Sequence, residues 1–306
     1  MIHLKNFLLY SSLLMLQACG GGGEIQSSPI VLNNNIDVYI LGSSTLENMI
    51  PALESTAKTY NYNIHNYAKG GEQLYTMCLR IGAFPGTVKF SNNNLSSSTK
   101  NYFIADWPLD YSLKTFDAEV NNIKGQVGAD KNGYYFQFNT PSSILVDTNI
   151  NYPVHSSIPT TSNNAIFIVN LGKNNFYQSN PEINTSEYII SESKKCINWI
   201  SENLTNKILV VGFFSTTQAN DSLINKVNTV NSSLSDTYKN AFYDIEKYIE
   251  SDQVWSDTKI KPTNNDLSNQ KNHILPSSLA KDALHVNETI NIALSKKLLD
   301  SLAQFK

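Results

Sequence analysis

Four short stretches carry residue types that nucleophilic chemistry uses: "LGSS" (41–44), "NYAKGGE" (66–72), "NLGKNN" (170–175) and "DALH" (282–285). In "ILGSST" (40–45) an apolar run stops on a glycine and two serines. Two readings stand. Either a strand ends there and a Ser or Thr caps the following helix, or a serine hydroxyl is held as a nucleophile at the carboxyl end of a strand. Each remaining block has an ordinary reading when taken alone. Gly71 reads as a turn glycine, Asn174 as a loop or cap residue, and His285 as a surface histidine at a helix start with Asp282 as its cap partner. "GKNN" is no phosphate loop, because the G-K-[ST] ending is missing.

Elements must bring these blocks together. "IDVYILG" (36–42) reads as a buried strand, and "YNIHNYA" (62–68), "AIFIVNLG" (165–172) and "KILVVGFF" (207–214) read as three further strands. Helical spacing follows the first strand, runs to about Gly82 after the second, covers about Glu182 to Asn203 and continues as a long stretch to about Glu250. A terminal helix starts near Glu288. Strands alternating with helices predict an α/β fold: a doubly wound, mostly parallel sheet with helices on both faces and reactive groups at the strands' carboxyl ends. Residues 84–164 break the rhythm with short runs such as "TVKF" and "GYYFQFNT" and many Asn, Ser and Gly residues. They read as a β-rich insertion between the second and third core strands, since so long an irregular loop inside a compact domain would be unusual.

In this order and at these boundaries the four blocks resemble the SGNH hydrolase superfamily, also called GDSL esterases and lipases. Its pattern is G-D-S after the first strand, a glycine block after the second, G-x-N-D after the third and D-x-x-H before the last helix. The resemblance implies a flavodoxin-like three-layer sandwich and a serine esterase. By position, Ser44 matches the nucleophile, His285 the general base and Asp282 the acid that orients it. Gly71 and Asn174, with the N–H of Ser44, match the oxyanion donors. No cofactor and no metal are implied. The family aspartates of the first and third blocks are Ser43 and Asn175 here, which removes two side-chain acceptors expected to rigidify the site. Of five histidines, His3 lies near the start, His65 within a strand and His155 near the end of the insertion. His273 shares the late loop but lacks an acid three residues before it, so it ranks behind His285.

Substrates in this superfamily range from lipids to acetylated sugars. The insertion resembles β-rich modules of some SGNH carbohydrate esterases, and its Trp107, Tyr134, Tyr135 and Phe136 either stack on a glycan or form the module's own core. With no long apolar lid near the motifs, the first expectation is removal of O-acetyl groups from a cell-surface polysaccharide. The alternatives are a lipase- or lysophospholipase-like esterase and a catalytically silent glycan-binding protein of the same build.

"MIHLKNFLLYSSLLMLQAC" has the layout of a secretory signal, and "LQAC" resembles the bacterial lipobox. Residues 1–18 then read as a signal and Cys19 as a lipidated N-terminus, with 19–35, opening on "GGGGE", as a flexible tether. An ordinary signal cut near Ala18 is the other reading. The expectation is an exported protein held at the bacterial cell envelope, at the outer membrane, by its lipid. The hydrolase domain comprises 36–83 and 165–306 on either side of the insertion. With 23 basic and 26 acidic residues the net charge is −3, which excludes a nucleic-acid partner as a first reading. Cys78 and Cys196 fit no metal motif. They are either two buried thiols or, on neighbouring helices of one sheet face, a disulfide.

Overall fold

The structure, a computed structural model, describes residues 35–140, 143–157 and 164–306. The expected signal 1–18, the lipidation at Cys19 and all of the tether but residue 35 lie outside the described residues. β1 (Ile36–Gly42) leads through α1 (Ser44–Glu47) and α2 (Ile50–Ala57) to β2 (Tyr62–Asn66) and α3 (Leu74–Arg80). A run of strands follows: β3 (Thr87–Phe90), β4 (Asn94–Leu95), β5 (Asn101–Ala105), β6 (Phe116–Val120), β7 (Ile123–Asp130), β8 (Gly133–Gln137), β9 (Ile144–Leu145) and β10 (Tyr152–Ser156). The chain then alternates again through β11 (Ile166–Asn170), α4 (Ser186–Asn203), β12 (Ile208–Val211), α5 (Asp221–Tyr238) and β13 (Phe242–Tyr243). It closes with α6 (Ile245–Ile249), α7 (Asp252–Thr258), α8 (Asn264–Lys271) and α9 (Glu288–Ser301).

β13, β12, β11, β1 and β2 form one sheet in that order, every pair parallel. β1 lies inside the sheet between β11 and β2, and its side chains alternate between two cores because successive strand residues point to opposite faces. Val38 and Ile40 join Leu46, Leu53, Leu294 and Leu298 from α1, α2 and α9. Tyr39 and Leu41 join Leu74, Met77, Ile189 and Ile197 from α3 and α4. Cys78 and Cys196 are paired as a disulfide between α3 and α4, with Cα atoms 5.9 Å apart.

The fold class expected from the sequence, a doubly wound, mostly parallel flavodoxin-like three-layer sandwich with a β-rich insertion between the second and third core strands, is not that of this molecule. Strands β10, β3, β5, β8, β7 and β6 close, in that order, into an antiparallel barrel, a second β architecture beside the parallel sheet. Closure leaves these strands no unpaired edge. Strict alternation drives it: in β8, Tyr134 and Phe136 are buried and Tyr135 is half-buried. Gly125 lets the wall pass close to itself, since a Cβ there would lie 2.5 Å from the Gln137 carbonyl oxygen and 2.7 Å from the Phe136 ring. The barrel has its own core of Val88, Phe90, Phe103, Trp107, Val127 and Phe136. It rests on α3, whose Leu79 belongs to that core and whose Leu79 carbonyl accepts a 2.6 Å bond from Ser156 Oγ. Three of the four aromatics singled out in the sequence, Trp107, Tyr134 and Phe136, are therefore interior residues. Tyr135 instead lies beside Tyr102 and under Lys100, with Nζ 4.3 Å from its ring centre.

Candidate active site

The nucleophile candidate stands where β1 gives way to α1. Gly42 is required there by close approach: a Cβ would lie 2.9 Å from Leu46 Cδ1 and 3.0 Å from the Asn170 carbonyl oxygen. Ser43 occupies the N-cap in extended conformation but makes no side-chain cap bond, and Ser44 opens the helix. Thr45, read from sequence as a possible cap, is buried instead, and its Oγ1 has no partner among the described residues.

Ser44 Oγ lies 2.9 Å from His285 Nε2, and His285 Nδ1 lies 2.9 Å from both oxygens of Asp282. The carboxylate can only accept, so Nδ1–H donates to it and Nε2 is left to accept from the Ser44 hydroxyl. That is the tautomer a general base needs. Asp282 Oδ1 also accepts the N–H groups of Leu284 at 2.8 Å and His285 at 2.9 Å. These bonds, led by the one to His285, hold its carboxyl below the usual range. A bridge between Ala280 and Val286 and a 2.8 Å bond from Lys281 N–H to the His285 carbonyl clamp the turn that carries both residues.

The glycine block packs against the serine. A Cβ on Gly70 would come within 3.5 Å of Ser44 Cβ. The Gly70 N–H donates to Glu47 Oε2 at 2.7 Å, so α1 holds both the serine and the loop facing it. Gly71 has φ +81°, and a side chain there would also meet Ser112 Oγ at 2.5 Å. Asn174 follows Gly172, itself at φ +104°, in the turn Lys173–Tyr177 and donates through Nδ2 to the Glu72 carbonyl at 2.8 Å. One amide hydrogen of Asn174 is thereby used and the other is free of partners among the described residues. The structure thus brings Ser44, Asp282 and His285 into one hydrogen-bonded chain, and hinges Gly71 and Asn174 to each other through Glu72.

The two departures from the family pattern have different consequences. Asn175 still supplies an acceptor: Oδ1 takes the Leu74 N–H at 2.9 Å while Nδ2 donates to the Ile183 carbonyl at 3.2 Å. The expected loss of rigidity therefore does not occur there. Ser43 Oγ, by contrast, is buried with no partner among the described residues. The competing His273 is engaged elsewhere, its Nδ1 2.6 Å from Glu250 Oε1; of the others, His65 Nε2 meets Asp37 Oδ1 at 2.8 Å, and His155 is exposed on β10.

Three contributors went unread in the sequence. Glu47 sits one turn after Ser44, a spacing that points it back toward its own helix start. Lys173 lies inside the third block, fully buried, with Nζ 3.4 Å from the Phe214 ring centre and 3.3 Å from the Leu284 carbonyl. It supports the histidine turn from beneath, and burial pushes its ammonium down to about 7. The third is the connection between β5 and β6. Asp110 accepts the Gln73 N–H at 2.8 Å and Thr76 Oγ1 at 2.6 Å, Lys114 Nζ reaches the Asn66 carbonyl at 2.7 Å, and Ser112 abuts Gly71. Nothing in the sequence of that loop signals this. Among the described residues no group of three or more His, Cys, Asp or Glu is placed to hold a metal, and no helix is long and apolar enough to cross a membrane. Neither a protein-family model nor a curated protein matches the chain.

Proposed function

We propose that the protein is a serine esterase of the SGNH type, acting through Ser44, His285 and Asp282. The observation that carries this reading is the continuous chain from Ser44 Oγ through both ring nitrogens of His285 to the Asp282 carboxylate, each link 2.9 Å long. His285 takes the hydroxyl proton as Ser44 Oγ attacks the ester carbonyl carbon. The carbonyl oxygen becomes an oxyanion facing the N–H groups of Gly71 and Ser44 and the free hydrogen of the Asn174 amide. One such donor is typically worth about 10² to 10³ in rate. Collapse expels the alcohol, which leaves with the proton from His285, and acyl-Ser44 remains. Water activated by the same imidazole then releases the acid and regenerates the hydroxyl. Asp282 stays ionised and stabilises the imidazolium.

The acyl group we favour is acetyl and the alcohol a polysaccharide, because the sequence places no long apolar lid-like segment near the four motifs. The protein would reach that substrate from the cell envelope, exported and tethered through a lipid on Cys19. Hydrolysis of 4-nitrophenyl esters by the purified protein tests the reading. Acetate should be cleaved faster than octanoate. Ser44→Ala, His285→Ala and Asp282→Asn should each lose most turnover with little change in melting temperature, while His273→Ala should keep it. If Ser44→Ala hydrolyses as the parent does, the reading is wrong; if octanoate is preferred, the lipase alternative takes its place.

A further inference from the structure

Gly71 and Asn174 are set by the residue between them in space, Glu72. Gly71 immediately precedes it in the chain, and the Glu72 carbonyl accepts the Asn174 amide at 2.8 Å. The Glu72 carboxylate has no part in the reaction scheme, yet it is fully buried and bonded on both oxygens. Arg80 donates through Nε to Oε1 and through Nη2 to Oε2, each at 2.9 Å, and the Lys114 N–H donates to Oε1 at 3.2 Å. A displacement of Glu72 therefore moves both donors at once.

The same two basic residues hold the chain that leads into Gly71. The N–H groups of Tyr67 and Lys69 bond to the Ile40 and Gly42 carbonyls, so the alternating Asn66 and Ala68 carbonyls face away from β1. β2 is the last strand of the sheet, and no further strand offers those carbonyls a partner. Lys114 Nζ takes both, at 2.7 Å and 3.2 Å, while Arg80 Nη2 takes the Tyr67 carbonyl between them. Lys114 thus holds the segment at its start through the ammonium and at Glu72 through the main chain. It belongs to the connection between β5 and β6, whose Ser112 abuts Gly71 and whose Asp110 accepts the Gln73 N–H. Between these anchors Gly71, at φ +81°, donates its N–H to no group among the described residues and keeps it for an oxyanion.

We propose that Lys114 is a positioning residue for ester hydrolysis: from the barrel it fixes residues 66–72 so that the Gly71 N–H and the Asn174 amide converge on the oxyanion. The inference rests on the esterase reading above and adds to it a part played by the inserted barrel. A donor already in place costs no reorganisation as charge develops, which is the source of its effect on rate. Without the ammonium, the Asn66 and Ala68 carbonyls lose their partner and the segment turns toward water to satisfy them. Lys114 acts through the main chain, so its loss is felt in kcat.

Hydrolysis of 4-nitrophenyl acetate by Lys114→Met, set against the parent and Val127→Ala, tests this. Val127 lies in the barrel core, so Val127→Ala reports what lower barrel stability alone does. In Lys114→Met, kcat should fall about tenfold or more, a share of the roughly 10² to 10³ typical of a lost oxyanion donor, with KM within about twofold of the parent. Phenylboronic acid, whose tetrahedral adduct on Ser44 sets an oxygen where the oxyanion forms, should lose affinity by the factor that kcat/KM loses. Val127→Ala should melt lower and keep its kcat. Should Lys114→Met fail to fold, Lys114→Gln is read in the same way. With an active parent, the proposal is overturned if kcat in Lys114→Met stays within about twofold of the parent. It is also overturned if kcat falls while boronate affinity holds, or if Val127→Ala loses as much kcat for the same loss of melting temperature. A parent that hydrolyses no ester overturns the esterase reading itself, and this inference with it.

Discussion

At the scale of single residues, Lys173 is the group whose state depends most on its surroundings. It is fully buried, held by the Phe214 ring and the Leu284 carbonyl, with Asp282 and Glu246 as its charged neighbours. Burial lowers its pKa from the ordinary 10.5 to about 7, so the folded chain binds fewer protons than the unfolded chain between those values. Stability from this group must then rise with pH across that window and be lost below it. Chemical denaturation of Lys173→Met and the parent from pH 7 to 10 checks this: the parent's advantage, or smaller deficit, should grow steadily with pH. A constant difference would mean that Lys173 does not titrate there. Ser44, His285 and Asp282, which the fold joins by hydrogen bonds, could be picked out of the sequence because their identity and order carried the signal. Lys173 and Glu47 were not, because their roles depend on which carbonyl or N–H the fold brings to them.

Among the elements, α3 does the most connecting. Leu74, Met77 and Cys78 face the sheet, and Leu79 faces the barrel. The Cys78–Cys196 disulfide joins α3, before the barrel, to α4, after it, across a separation of 118 residues. Chain entropy for so long a loop gives about 4 to 5 kcal/mol as an upper figure. Intact mass of the unreduced, alkylated protein should show neither cysteine modified, and the reduced protein should melt lower. Two alkylated thiols would contradict the bond. The strands at 36–42, 62–68, 165–172 and 207–214 were readable to within a few residues: three are apolar runs buried along most of their length, and the second, polar and largely unburied, was marked by the glycine pair that follows it. β13 was not: two residues between α5 and α6 were absorbed into one helical stretch reaching Glu250. α7 and α8 also went unread, α8 because its polar sequence offers little periodicity.

For the molecule as a whole, the barrel is the feature the sequence did not disclose. Short runs such as "TVKF" and "GYYFQFNT" marked the segment as β-rich, but closure depends on pairing β10 with both β3 and β6 across the insertion, and no local pattern encodes that. Its loop between β5 and β6 abuts Gly71 and accepts the Gln73 N–H, so the barrel packs against the glycine block that follows β2. Asp110, 3% exposed, receives the Gln73 N–H, Thr76 Oγ1 and the Ser112 N–H. Asp110→Ala leaves those buried donors unpaired, at a cost of about 1 to 3 kcal/mol each before relaxation. The expected result is a lower melting temperature together with reduced kcat, because Gly71 loses its support. Reduced stability with kcat unchanged would separate the barrel from catalysis.

The proposed esterase chemistry requires Ser44 to be a nucleophile activated by His285. A fluorescent alkyl phosphonate reacts with such a serine and not with an ordinary hydroxyl, and peptide mapping by mass spectrometry locates the adduct. One equivalent on Ser44, abolished in His285→Ala and absent from Ser44→Ala, is the predicted result. An unlabelled parent protein, or an adduct on any residue but Ser44, would contradict it.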